Sequence, residues 1–329
     1  MDWSNKNVLI TGAGGFIGSH LTEKLLELGS NVTAFLRYGS KRDKENLNFI
    51  KVNDKSKLNV FFGDILDLPA VNESIKDADV VFHLAANISV AYSMVHPAEV
   101  FNTNAIGTLN ILNAAKDNNV KKIVLMSSSE VYGTAQYAPI DEKHVLQAQS
   151  PYSASKISAE KIAESFFRCY NTPVTIARPF NNYGPRQTAR AIIPTIISQA
   201  LINGKIKIGN TNPTRDFLFV KDTVEGLIKL AETKEAIGQA FNLATGKEIS
   251  IGELKDLILS LLNKNVEVEI DEQRVRSKTS EVERLCGDSK KINEVTGWSA
   301  KVNLEDGLKQ TIEWIRANTD LFNTKEYNI

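Results

Sequence analysis

Hydrophobic positions in the first half of the chain alternate between two rhythms. Short β-branched runs at Val8 to Thr11, Asn31 to Leu36, Val60 to Phe62, Val80 to Leu84, Lys122 to Ser127 and Val174 to Ala177 read as buried strands. Between them, segments near 17–28, 67–76, 97–118 and 151–170 place apolar residues at helical spacing. Parallel strands need a crossover between them, usually a helix, so this alternation predicts an α/β fold built on a Rossmann-type doubly wound parallel sheet. In such sheets ligands bind at the carboxyl ends of the strands.

Past Arg178 the rhythm loosens. Pro179, Pro185, Pro194 and Pro213, with Gly184, Gly204 and Gly209, punctuate a region that reads as loop-rich. A strand-like run at Gln239 to Leu243 rejoins the main sheet, and the tail offers a helix at 251–263, a strand at 266–270 and a helix near 304–317. The expected division is a dinucleotide-binding domain over 1–180 that also takes segments near 217–245. A smaller, interleaved C-terminal substrate domain is expected over 181–216 and 246–329.

Composition narrows the classes. The 329 residues are 42% hydrophobic and 24% charged, ordinary values for a globular protein with a sizeable core. Lys plus Arg and Asp plus Glu both count 39, so no net basic field gathers nucleic acid. Two cysteines, Cys169 and Cys286, are too few for a disulfide framework and are expected to be packing residues. The first residues lack a basic segment followed by an apolar one, and the longest apolar stretch, Ala191 to Ile202, is interrupted by Pro194 and polar residues. A soluble, cytoplasmic protein with no membrane partner is expected.

The first strand runs into Thr11-Gly12-Ala13-Gly14-Gly15-Phe16-Ile17-Gly18. In a strand–turn–helix setting, Gly12 permits a tight turn, Gly15 lets backbone approach a pyrophosphate, and Gly18 lets the helix pack on the sheet. The helix start at Phe16 and Ile17 supplies partial positive charge. The next strand ends at Arg37 where an acidic residue would accept the ribose hydroxyls of NAD; an arginine there pairs with a 2′-phosphate and leans the cofactor toward NADP, with NAD the alternative. Asp64 and Ile65, past the third strand, are placed to bracket the adenine.

Tyr152 and Lys156 stand four apart on one helix face, with Ser150-Pro151 as the helix start. An ammonium beside a phenol favours phenolate, a base able to take a proton from a sugar hydroxyl. Ser128, just past a strand, is placed to hold the same hydroxyl, and Asn104 to orient the lysine through water. Ser129 and Glu130 follow; Glu130 supplies a second base. His83 sits in a core strand and reads as structural, and no metal-binding spacing occurs. Asn181 and Arg186, in the run from Arg178 to Arg186, are candidates for sugar hydroxyls and diphosphate oxygens, with Arg215 and Arg276 completing an anion clamp.

The stretches TGAGGFIG, HLAA, NTNAIGTLN, SSSEVYG, PYSASK, RPFNNYGPR and RDFLFVKD resemble, over nearly the whole chain, the extended short-chain dehydrogenases that act on nucleotide sugars. The resemblance implies a tightly bound, internally recycled NAD or NADP, held also by Leu84, Ala85 and Ala86. It further implies a homodimer through the helices near 97–118 and 151–170. GTAQYAPIDEKHVLQAQSPYSASK and the DEQR segment look closest to the 4,6-dehydratases of legionaminic and pseudaminic acid formation, whose substrates are nucleotide-linked N-acetylglucosamines, UDP-linked or GDP-linked. That implies C4 oxidation by Tyr152, Lys156 and Ser128, then loss of C6 water through Glu130, with C5 retention, inversion or a 5,6-ene as outcomes. Many relatives carry Asp-Glu where this chain has Ser129-Glu130. Alternative readings are a UDP-glucuronate decarboxylase, a 4-epimerase, or a non-enzymatic nucleotide-binding module, which would not need Tyr152 and Lys156.

Overall fold

The computed structural model describes residues 1–39, 45–52, 54–274 and 279–322. Six strands follow the predicted runs: β1 (Asn7–Thr11), β2 (Asn31–Arg37), β3 (Leu58–Gly63), β4 (Val80–His83), β5 (Lys122–Met126) and β6 (Val174–Pro179). They form a parallel sheet in the order β3-β2-β1-β4-β5-β6. The order reverses at β1, and the crevice past β1 and β4 is where such sheets take ligands.

Helices cover both faces: α1 (Phe16–Glu27), α2 (Leu68–Ile75), α3 (Val90–Val95), then α4 (Pro97–Phe101) and α5 (Gly107–Asp117) joined by a π-helical turn at Asn102–Ile106. The predicted 97–118 helix therefore exists with one wide turn inserted, a feature frequent at functional positions. The helix α6 (Pro151–Tyr170) packs against this assembly. Leu21 and Leu25 of α1 pack with Phe82 and Val124 in one core; Ile111 and Ala163 pack with Leu9 and Ile123 in another, across the sheet.

The strand β7 (Asn181–Tyr183) opens the second region. It continues through α7 (Ile192–Ile202), β8 (Lys205–Ile208), β9 (Thr214–Phe219) and α8 (Val220–Glu232). β7, α7 and β8 lie in the stretch that the sequence pattern predicts to be loop-rich, and β9 and α8 follow it where the pattern assigns no element. Pro194 does not break α7, because it stands in the first turn, where backbone N–H groups have no helical partner. The strand β10 (Ala240–Leu243) returns to the main sheet beside β6, making it seven-stranded.

The chain leaves again through β11 (Glu248–Ser250), α9 (Ile251–Leu262), β12 (Glu267–Ile270), β13 (Arg284–Leu285), α10 (Lys290–Thr296) and α11 (Leu304–Ala317). β7, β9, β11 and β13 form a four-stranded sheet, and β12 pairs β8. Ile193, Ile197, Leu254, Ile258, Leu308 and Ile312 close the core there. The two regions interleave, since the chain crosses between them at β7, β10 and β11. Among the described residues no helix is long and apolar enough to cross a membrane, and no cluster of metal-binding side chains occurs. Of the two cysteines, Cys286 is buried as expected and Cys169 is exposed.

His83 ties the sheet internally. Its Nδ1 lies 2.7 Å from Thr11 Oγ1 and its Nε2 3.0 Å from Thr108 Oγ1. Thr108 donates its proton to the Asn104 carbonyl at 2.6 Å, so His83 Nε2 must be the donor to Thr108, and Nδ1 accepts from Thr11. Burial, helped by the Lys156 charge, holds His83 down at about 3 from an ordinary 6.5, and burial lowers His20 to about 4. A depressed histidine contributes stability above pH 6.5 and loses it as pH falls toward the folded value. We expect His83→Asn to remove about 2 kcal/mol of the stability lost between pH 6.5 and 5, read as a shallower slope of unfolding free energy against pH.

Candidate active site

The glycine turn behaves as its spacing predicts. Gly12 has φ +71°, and a Cβ there would meet the Ala85 nitrogen at 2.8 Å, so the turn runs against the segment after β4. A Cβ on Gly18 would come into collision with the Gly12 carbonyl oxygen, which is why the helix can close on the strand only with glycine there. Gly15 caps α1 without a side chain, and no acidic residue stands in the first turn. The backbone N–H groups at Phe16 and Ile17 are thus left to a ligand of negative charge. These features fit the pyrophosphate of a dinucleotide. Leu84 donates its N–H to Thr11 O at 3.2 Å and Ala85 to Thr11 Oγ1 at 3.2 Å, which with Ala86 sets the crevice wall across from the turn.

Arg37 closes β2 and is exposed. Asp64 accepts from the Leu66 N–H at 2.9 Å and shapes the turn after β3. Ile65 is buried, packs where a Cβ on Gly107 would collide with its Cδ1 at 2.5 Å, and accepts from Asn110 through its carbonyl.

The helix α6 begins on a capping box between Ser150 and Ser153, with Pro151 in its first turn. This start fixes Tyr152, and one turn later Lys156, on the face toward β5. Ser128 caps the short turn Ser129–Tyr132 and accepts from the Glu130 N–H at 3.2 Å. Ser129 is buried and Glu130 half-buried. Ser128 and Glu130 both act on the Tyr152 phenol: the Ser128 hydroxyl favours the phenolate and the Glu130 charge disfavours it.

The electrostatics correct one expectation. Lys156 does not lower the phenol; burial pushes Tyr152 up to about 12, the Ser128 hydrogen bond opposes the rise, and the Glu130 charge adds to it. The Lys156 ammonium instead donates to the Met126 carbonyl at 2.6 Å, and burial lowers it to about 8 against the opposing charge of Glu160. Desolvation is the largest influence on both groups because both are buried.

Asn104 is held by protein partners. The π-helical turn aims its amide at Asn87 and Ser155, with Oδ1 accepting from the Asn87 N–H at 2.7 Å and Nδ2 donating to Ser155 Oγ at 2.8 Å. Ser155 in turn donates to the Tyr152 carbonyl at 2.7 Å. Asn104 thus supports the backbone under Tyr152. Together with His83 and Thr108, it links the glycine-turn strand to the catalytic helix.

A buried ion pair braces the same turn from beneath. Arg178 donates to Glu160 through Nε at 2.9 Å and Nη2 at 2.5 Å, and through Nη1 to the Tyr132 hydroxyl at 2.8 Å. Tyr132 donates to Asn242 of β10 at 2.7 Å. Glu160 stands one helical turn beyond Lys156, so the arginine of the Arg178 to Arg186 run faces inward rather than toward substrate.

Of the four residues expected to hold substrate, Asn181 of β7 keeps a buried Oδ1 with no protein partner, an acceptor suited to a sugar hydroxyl. Arg215 is buried, with Nη1 on the Thr214 carbonyl and Nη2 3.5 Å from Glu281. Arg186 is partly engaged within the protein, with Nη1 buried and without a protein partner. It pairs with Glu23 of α1 at 2.6 Å and donates to the Phe49 carbonyl at 3.0 Å, in a left-handed backbone at φ +70°. Its charge serves to pin the loop after β7 onto α1. Arg276 lies outside the described residues.

The pattern of the GDP-mannose 4,6 dehydratase family matches residues 9–311. The chain belongs to this family. Within it, the dTDP-D-glucose 4,6-dehydratase of Mus musculus is 34% identical over 324 residues, covering 95% of this chain and 89% of that protein. A UDP-glucose 4-epimerase of Mycolicibacterium smegmatis is 34% identical over 315 residues, covering 94% and 98%. The dTDP-glucose 4,6-dehydratase DesIV of Streptomyces venezuelae, solved with NAD and TYD bound, superposes with a TM-score of 0.88 at 28% identity, covering 96% and 98%. The protein is accordingly an enzyme of the NAD-dependent nucleotide-sugar dehydratase and epimerase family with a Rossmann-like parallel sheet.

Proposed function

We propose that this family member is a 4,6-dehydratase acting on a nucleotide-linked N-acetylglucosamine, UDP-linked in preference to GDP-linked. The observation that carries the reading is Glu130, a carboxylate set close enough to Tyr152 for its charge to raise the phenol. A 4-epimerase needs no base at C5, whereas a dehydratase does.

When bound, the nicotinamide supplies a hydride acceptor at C4, a donor at C6, and a positive charge beside the phenol. Ser128 holds the C4 hydroxyl, and Tyr152 as phenolate takes its proton while the C4–H bond breaks. The resulting 4-ketone acidifies C5–H, and Glu130 removes that proton. The C6–O bond then breaks and the hydroxyl leaves as water. Ser129 is a poor acid at neutral pH, so protonated Glu130 gives the departing hydroxyl its proton. Hydride at C6 and a solvent proton at C5 complete a redox-neutral loss of one water.

Asn181 and Arg215 hold the nucleotide sugar, on the reading that the interleaved C-terminal region (181–216 and 246–329) binds it. Arg37 is the residue through which NADP would be preferred to NAD. A homodimer through the helices spanning 97–118 and α6 is part of the same proposal, supported by exposed Phe101, Ile106 and Tyr170 on these elements. The test is to incubate the protein with UDP-GlcNAc, GDP-GlcNAc and UDP-glucuronate and weigh the products. Loss of one water from a GlcNAc nucleotide supports the reading; loss of carbon dioxide from the glucuronate alone overturns it.

A further inference from the structure

Gln149 lies three residues before Tyr152, has been given no role above, and its side chain joins three segments. Its Oε1 accepts from the Thr134 N–H, just past the turn that carries Ser128 and Glu130. Its Nε2 donates to the carbonyls of Thr279 at 3.3 Å and Glu281 at 3.4 Å. Its own N–H donates to Ser153 Oγ at 3.1 Å, inside the cap of α6. The contacts span 130 and 132 positions of sequence on one side and 15 on the other.

The surroundings are built around this amide. Gly133 has φ +65°, and a Cβ there would lie 2.5 Å from Gln149 Oε1 and 2.8 Å from the Gln147 carbonyl. Thr134 Oγ1 donates to the Glu281 carbonyl at 3.4 Å and accepts from the Glu283 N–H at 3.3 Å, and Ala135 donates to the Arg284 carbonyl at 3.2 Å. Glu281 is therefore gripped twice. Its backbone oxygen is held by Gln149 and Thr134 on the catalytic side, while its carboxylate stands 3.5 Å from Arg215.

We propose that Gln149 is a positioning residue that keeps the catalytic turn and the start of α6 in register with the segment bearing the Glu281–Arg215 pair. The inference rests on the proposed function in taking Arg215 as a substrate contact. A sugar nucleotide held at Arg215 then presents its hexose to Ser128, Glu130 and Tyr152 at a fixed distance. Binding energy from the remote part of the substrate is thereby used at the reacting carbons. Only an amide fills the role, because Gln149 accepts on one side and donates on the other. A carboxylate could keep the Thr134 contact but would face two carbonyl oxygens on the other side.

The test compares the parent with Gln149→Leu and Gln149→Glu by two independent readouts. The first is backbone hydrogen exchange of the ligand-free proteins in peptides covering 128–136 and 279–285, with a β1 peptide as the global control. Gln149→Leu is expected to raise exchange in both peptides and not in β1; Gln149→Glu is expected to raise it in 279–285 while 128–136 stays protected. The second is steady-state turnover of whichever GlcNAc nucleotide the parent dehydrates. Gln149→Leu is expected to lower kcat by about tenfold or more while KM changes by less than about threefold, the signature of lost alignment rather than lost affinity.

Unchanged exchange in 279–285 for Gln149→Leu overturns the proposal, as does a raised KM with kcat intact. A parent that dehydrates none of the substrates refutes the functional reading and leaves the exchange result to decide the Gln149 link alone.

Discussion

Tyr152→Phe removes C4 oxidation: kcat falls by about a thousandfold or more, and no reduced nicotinamide appears when the variant is mixed with substrate. The size follows from the placement of the group. Tyr152 is the buried phenol on which Ser128 and Glu130 act, and Lys156 on the same helix face is turned to the Met126 carbonyl, so it is not a substitute base. Since burial raises the phenol to about 12, the phenolate fraction grows about tenfold per pH unit through the neutral range. The first half-reaction of the parent should therefore accelerate toward alkaline pH. A Phe variant that still reduces the cofactor at the parental rate would remove Tyr152 from the chemistry.

Glu130→Gln separates the steps. The substitution keeps the length and the backbone bond to Ser128 Oγ, and removes only the base. Oxidation at C4 continues, so reduced nicotinamide accumulates transiently and is read by its absorbance. The dehydrated sugar falls by about a hundredfold to ten-thousandfold, the range for loss of a positioned general base. Stopped-flow absorbance followed by product mass reads both. Dehydration at the parental rate would show that another group takes the C5 proton.

The strands and most helices were legible in the sequence because their apolar runs are bounded by glycine and polar turns, as at Val8 to Gly12. The helix α7 was hidden by reading Pro194 as a breaker, although a first-turn proline forfeits no hydrogen bond. The helix α8 was hidden for another reason: β9 runs into it at Phe219 and Val220 with no glycine or proline between them.

At the site, spacing alone showed which side chains share the α6 face. It did not show their dielectric surroundings, so the sign of the Tyr152 shift came out reversed. Nor does a local pattern reveal pairings far apart in sequence. Arg186 meets Glu23 across 163 positions, and Gln149 meets Glu281 across 132, and no local spacing in the chain points to either partner. Ser129, Glu130 and Asn181 stand out in the sequence because each lies next to the end of a predicted strand, where α/β sheets collect ligands.

The dehydratase reading is tested most directly by one incubation of the parent protein with UDP-GlcNAc in deuterium oxide, the product read by mass spectrometry and proton NMR. The expected product has lost one water, carries a methyl group at C6 and holds solvent deuterium at C5. A product of unchanged mass with the configuration at C4 inverted and no deuterium at C5 would contradict the account and assign the enzyme to the epimerases.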